Sequence, residues 1–336
     1  MPNFKLLSIA LAILGAVVAT LLIGWFGFGR IAGAILAVGG YGFELYAAWQ
    51  VLLFVLMGVA WWVVVPPGER RLLIFVWGPM VRDAAASCLP FSQVGGFVLG
   101  ARAITLHGVS APVATITTVV DATAEFVAEI LFLTVGLMIV LVRGQGMGAT
   151  TPIVPGLGAA LIAGVIAMGV QHRAAPLFVW FGGRVLGQWV AAGSDGETVS
   201  EAELRRIYGH AGRVATGTSL HLIAWCGKGA GNWIAFRLLG TPVDISTALA
   251  IEALLHAALA AAFLVPGNAG VQEAGYVGVG ALFGATPEIA LAVSLLRRAR
   301  DLAVGVPILL FWQFVELRRL RAARSGYQSA GPQTRM

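Results

Sequence analysis

Asp121, Glu125 and Glu129 recur at every fourth position inside an apolar run. On a helix, successive members turn by about 40° and rise about 6 Å, so the three form one acidic stripe. Arg297, Arg298, Arg300 and Asp301 interrupt a second apolar run, and Arg102 and Glu273 stand in two glycine-rich segments. Such charges can neutralise one another or hold an ionic headgroup. Covalent chemistry is poorly represented. His107, His172, His210, His221 and His256 form no His-Glu-x-x-His array, Gly227-Lys228-Gly229 lacks the rest of a phosphate-binding loop, and no nucleophile elbow occurs. His256 follows Glu252 by four residues, a spacing that suits either a proton relay or an intrahelical pair. Cys88 and Cys226 have no metal-ligand spacing and support no disulfide framework. No catalytic residue, metal or cofactor is therefore expected, and the chain does not read as an enzyme.

The elements that must position these charges are membrane helices. Of 336 residues, 58% are hydrophobic and 11% charged, whereas a water-facing domain carries about 25% charged residues. The mean hydropathy is +0.86. A helix crossing a hydrocarbon layer of about 30 Å needs about 20 apolar residues, and residues 6–26, 42–65, 113–142, 153–170, 210–238 and 288–316 qualify. The first reads as an uncleaved anchor, since no small-residue cleavage site follows it. The stretches 72–108 and 243–284 are broken in their middles by proline and glycine.

These two broken stretches share their punctuation. Leu89-Pro90 leads to His107-Gly108 and Val265-Pro266 leads to Phe283-Gly284, with the same separation along the chain from each proline to its glycine. The shift that lays Pro90 on Pro266 and Gly108 on Gly284 also lays Ser110 on Thr286, and each of these is followed by a proline and a long helix. This predicts an internal repeat, 72–142 and 243–316, each unit a hairpin followed by a helix. Three crossings between the hairpins would invert the second relative to the first. The breaks at Phe91-Ser92-Gln93 and Gly267-Asn268-Ala269 would then dip toward the midplane from opposite faces, where non-helical backbone requires protein or water around it.

Charge bias agrees with this layout. One side collects Lys5, Arg70, Arg71, the arginines Arg173, Arg184, Arg205 and Arg206 of a 171–209 linker, and Arg318, Arg319, Arg321 and Arg324 of a basic 317–336 tail. The other keeps Arg30, Arg143 and Arg237. Both termini are expected on the cytoplasmic side. The net charge of +6 reads as loop charge, with lipid rather than nucleic acid as partner. Trp180 and Trp189 around Arg184 suit an interfacial segment, and Ser200 with Glu203 a capping box.

A charge at the bilayer centre costs roughly 2.5 to 3.5 kcal/mol, so the nine named charges would cost on the order of 20 to 30 kcal/mol if all faced lipid at that depth. They must face inward. In one reading the acidic stripe neutralises the arginines across the pseudo-twofold and glues the halves together. In the other, pairs beside broken helices exchange partners with a lipid headgroup, helped by Ser92, Gln93, Asn268 and Gln272. Gly96 and Gly100, with Gly280 and Gly284, have the four-residue spacing of close helix packing.

The segment Val265-Pro266-Gly267-Asn268-Ala269-Gly270-Val271-Gln272-Glu273, followed by Leu282-Phe283-Gly284 and Arg297-Arg298-Ala299-Arg300-Asp301, resembles the second signature of the lysylphosphatidylglycerol synthase transmembrane (flippase-like) family. Together with Leu89-Pro90-Phe91-Ser92-Gln93-Val94-Gly95-Gly96, it is similar to the subfamily associated with hopanoid biosynthesis. The family pattern has an acid after the double glycine and an arginine shortly beyond; here Phe97 and Gly100 stand there, while Arg102 matches a second arginine. That leaves the second hairpin, with Glu273, as the stronger site.

The resemblance implies an all-α protein of the bacterial inner membrane, with six full spans and two re-entrant helical hairpins in an inverted repeat. It further implies movement of a polar lipid between leaflets: a hopanoid derivative, or an aminoacylated or anionic phospholipid. The substrate-binding residues would be Glu273, Arg297, Arg298, Arg300, Asp301, Asn268, Gln272, Asp121, Glu125, Glu129, Arg102, Gln93 and Ser92. The best-known relatives carry a soluble transferase domain after the membrane part. This sequence ends at Met336, soon after its last expected span, so it is not expected to make such a lipid itself. A membrane transferase acting on a headgroup, or a non-catalytic partner of lipid-synthesis enzymes, stays open.

Overall fold

A computed structural model describes residues 28–89, 92–143, 210–261 and 270–329. The expected spans 6–26 and 153–170, the 171–209 linker, Asn268 and the side chains of Ser92 and Gln93 lie outside the described residues. Among the described residues the fold is all-α, with eight α-helices and no strand. These are α1 Phe28–Val64, α2 Leu72–Cys88, α3 Ser92–Thr105, α4 Ala111–Arg143, α5 Ala211–Leu238, α6 Ile245–Ala261, α7 Val271–Leu282 and α8 Pro287–Ser329.

Two helices are long and apolar enough to cross a membrane, over Leu36–Val64 and Ala111–Val142. At 1.5 Å per residue, 29 and 32 residues reach about 44 and 48 Å. Helices α5 and α8, at 28 and 43 residues, have the length to cross. Their polar side chains, Lys228 and His221 on one and the arginine cluster on the other, keep them from being uniformly apolar. The arms α2, α3, α6 and α7 have 17, 14, 17 and 12 residues. That is about 18 to 26 Å, short of a full crossing.

Local chemistry sets the helix ends. Pro66-Pro67-Gly68 stops α1, and Arg70 caps its last turn by donating to the carbonyls of Val65 (3.0 Å) and Val63 (3.1 Å). Asp244 starts α6, accepting from the Thr247 N–H at 3.0 Å and the Thr247 hydroxyl at 2.8 Å. Along α4, Thr115, Thr118 and Thr123 return their hydroxyls to carbonyls four residues back at 2.6 to 2.9 Å, which satisfies them without water.

The corners after the two hairpins match in detail. Gly108 and Gly284, equivalent positions of the repeat, have φ of 86° and 78°, left-handed values that cost a glycine little. Val109 N–H donates to Ile104 O and Ala285 N–H to Gly280 O, again between equivalent positions. Ala114 to Ser110 and Ala290 to Thr286 complete the match, each starting the helix that follows.

Packing between helices has the same twofold pattern. Helix α1 packs on α5; α1 lies against α2 and α8, as α5 lies against α6 and α4; α2 meets α8, as α6 meets α4. Exchanging α1–α4 for α5–α8 leaves this set of neighbours unchanged. Buried Tyr46, Phe236, Ile251, Leu255, Tyr276 and Leu296 form one core region; Phe54, Met57, Val81, Leu99 and Trp312 form another, and Trp61, Phe75, Ile104 and Ile116 a third. Leu52, Leu131, Met138, Leu310, Phe311 and Phe314 are exposed, as side chains facing lipid would be.

Candidate functional site

On α8 three arginines within four positions point in different directions, because each residue turns the helix by about 100°. Each finds its own acid. Arg297 Nη1 donates to both Glu252 oxygens, at 2.7 and 2.8 Å, and to the Tyr276 hydroxyl at 3.2 Å. His256 Nε2 lies 3.0 Å from Glu252 Oε1, so the i, i+4 pair on α6 exists and Arg297 joins it. Arg298 donates to Glu273 Oε1 at 3.3 Å. Arg300 donates to Asp301 Oδ1 at 2.7 and 3.0 Å and lies over the Tyr46 ring.

These pairs differ in how tightly they are held. Glu252 is 1% exposed, whereas Glu273 is 15% exposed and makes one longer contact with Arg298. Glu273 also accepts from the Gly270 N–H at 2.9 Å, capping the first turn of α7. Gln272 is turned away into the protein, donating to the Ser294 carbonyl and hydroxyl.

The acidic stripe has other company. Arg82 on α2 lies 3.3 Å from Asp121 Oδ2, 2.7 Å from Glu125 Oε2 and 3.0 Å from Asp83 Oδ1, and its guanidinium also sits over Phe97. His221 Nε2 on α5 is 2.8 Å from Asp121 Oδ1. Ligand atoms of Asp121, Glu125 and His221 fall within 4.8 Å of one another, close enough to share one cation, and the Arg82 guanidinium takes that role. Glu129, one turn farther along α4, feels the positive charge of Lys228 on α5. Arg102 makes a two-point pair with Glu316, at 2.9 and 3.3 Å, tying α3 to α8.

The pairing of the stripe with the α8 arginines is therefore corrected. Asp121 and Glu125 take Arg82, and Arg297 takes Glu252, so these arginine–carboxylate pairs stay within one four-helix half, while Asp121–His221 and Arg102–Glu316 join the halves. Helix α4 turns its acids toward α2 and α5, and α8 turns Arg297 toward α6 and α7. Arg82, Asp83, His221, Glu252, Tyr276 and Glu316 complete the clusters although none is among the residues singled out above as a site. Arg82 carried a signal, since an arginine in the apolar arm of a broken stretch obeys the rule that picked out Arg102. Glu316 and Tyr276 carried none.

The model of the lysylphosphatidylglycerol synthase TM region family matches residues 9–308, and the chain belongs to this family. No curated protein and no solved structure matches it. Family membership and the two long apolar helices make this a membrane protein related to lipid headgroup modification or flipping.

Proposed function

We propose that the protein is a lipid transporter of the bacterial cytoplasmic membrane, with no chemistry of its own, passing a polar headgroup beside its second hairpin while the apolar part stays in the bilayer. A hopanoid derivative or an anionic or aminoacylated phospholipid is the substrate class. In this reading both termini are cytoplasmic, six helices cross fully, and the hairpins α2–α3 and α6–α7 enter from opposite faces.

Three observations support the topology. The arms are too short to cross; Arg71, just before α2, donates to Gly108 O just after α3 at 3.0 Å; and Arg319, beyond the span of α8, donates to Thr105 O at 3.1 Å. Both ends of the first hairpin thus meet the arginine-rich face.

The Glu273–Arg298 pair carries the functional reading. It is the looser, partly exposed pair at the first turn of α7, and an anionic headgroup can replace the carboxylate on a guanidinium. Glu273→Gln keeps shape and removes charge. Movement of headgroup-labelled phosphatidylglycerol in vesicles should slow by about tenfold, roughly 1.4 kcal/mol, with a smaller effect from Phe97→Ala. Unchanged movement at equal protein in the membrane would point to a non-catalytic partner of lipid-synthesis enzymes. A chemically altered lipid after incubation would instead identify a headgroup transferase.

A further inference from the structure

The cluster around Arg82, to which α5 of the other half lends a histidine, has an excess of negative charge that lipid binding at Glu273 does not use. Around the Arg82 guanidinium stand three carboxylates, Asp83, Asp121 and Glu125, all within 3.3 Å. One positive charge against three negative ones, with side-chain exposures of 4% for Arg82 and 2% for Asp121, is unfavourable in a medium that screens poorly. Lys228 on α5 acts on Glu125, but it faces Glu129 as well. Among the described residues, Arg102 of α3 is engaged with Glu316, Arg297 of α8 with Glu252 and His256 of α6, Arg298 with Glu273 of α7, and Arg300 with Asp301 over Tyr46 of α1.

His221 is placed to relieve this excess. Its side chain is 1% exposed and its Nε2 faces an Asp121 oxygen, so Nε2 carries the hydrogen and donates. Its Nδ1 is buried and has no hydrogen-bond partner among the described residues. A neutral imidazole held in this way leaves one lone pair, on Nδ1, open to a proton. Accepting it forms an imidazolium whose Nε2–H remains on Asp121, and the charge around Arg82 becomes less negative by one. No other bond changes.

We propose that Asp121 and His221 form an exchangeable proton site coupled to lipid-headgroup binding in the other half. The coupling part rests on the lipid-transport reading; proton binding itself does not. Helix α4 carries Asp121 and packs directly on α6, whose Glu252 holds Arg297, one residue from the Arg298 that faces Glu273. A change of charge at His221 is therefore linked to the proposed headgroup pair through Asp121 on α4, the contact of α4 with α6, and the Glu252–Arg297 pair.

The test uses the full-length protein in detergent, with histidine labelled by nitrogen-15. The His221 ring signals, assigned by their loss in His221→Gln, should change from neutral to charged between about pH 9 and 5. In Asp121→Asn, which keeps a hydrogen-bond acceptor, the titration should move to lower pH, because the negative charge favouring imidazolium is gone. Affinity for short-chain phosphatidylglycerol should differ by about fivefold or more between the two ends of the titration, and this difference should flatten in both variants. Elution as a monodisperse species confirms that each variant is folded. A His221 ring that keeps one charge state across the range, or titrates identically in Asp121→Asn, would overturn the proton site. A titration without any change in lipid affinity would overturn the coupling. Failure of the wild type to bind the lipid at any pH would remove the transport reading and the coupling with it, leaving the histidine signals to decide the proton site.

Discussion

The two four-helix halves place charge on corresponding helices and with opposite sign. In the first half the leading arm of the hairpin carries the cation, Arg82, and the long helix after it carries the acid, Asp121. In the second, the leading arm carries the acid, Glu252, and the long helix carries the cation, Arg297, the repeat equivalent of Asp121. The balance differs too. Among the described residues one acid lies within salt-bridge distance of each of Arg297, Arg298 and Arg300, while Arg82 has three. A framework can thus repeat its backbone corners while assigning its charges separately: one half holds matched pairs, and the other holds an unmatched excess.

The largest expected effect comes from removing the shared cation. Arg82→Met should destabilise the protein in detergent by about 3 to 5 kcal/mol, since it strands buried carboxylates. Arg297→Met should cost less, because it strands one carboxylate, Glu252, where Arg82→Met strands three. Thermal unfolding followed by tryptophan fluorescence reads both, and an equal or greater loss for Arg297→Met would remove the contrast between the halves.

Double-mutant cycles would sharpen the same comparison. Glu252→Gln with Arg297→Gln should show a coupling of about 1 to 3 kcal/mol, and Asp121→Asn with Arg297→Gln a coupling within about 0.5 kcal/mol. A strong Asp121–Arg297 coupling would restore pairing across the halves.

The smallest effect separates the hairpins by packing. A Cβ on Gly96 would meet the Arg82 carbonyl oxygen at 2.6 Å, whereas one on Gly278 meets nothing within 4 Å. Gly96→Ala should therefore cost about 1 to 3 kcal/mol. Gly278→Ala should gain about 0.5 to 1 kcal/mol, through the better helix propensity of alanine. Equal melting shifts for the two variants would mean that α2 and α3 do not pack as closely as described.

Much of the framework was readable in the residues because its causes are local. Proline and glycine at 90, 108, 266 and 284 marked two broken stretches, and the corners at Gly108 and Gly284 depend on φ values that are determined within a few residues. Composition alone required helices inside a membrane, since uncharged stretches of this length have no other favourable place. It also required the buried charges to find partners. Which partners they found was not local. Arg82 reaches Asp121 across 39 positions, Asp121 reaches His221 across 100, and Arg102 reaches Glu316 across 214. Each of these depends on how one helix is rotated against another, and a rotation of about 100° exchanges one residue for its neighbour. Periodicity placed Asp121 and Glu125 on one face of α4, but only the packing of α4 on α5, which also set its reach to Arg82 of α2, decided that this face met Arg82 and His221 rather than the arginines of α8.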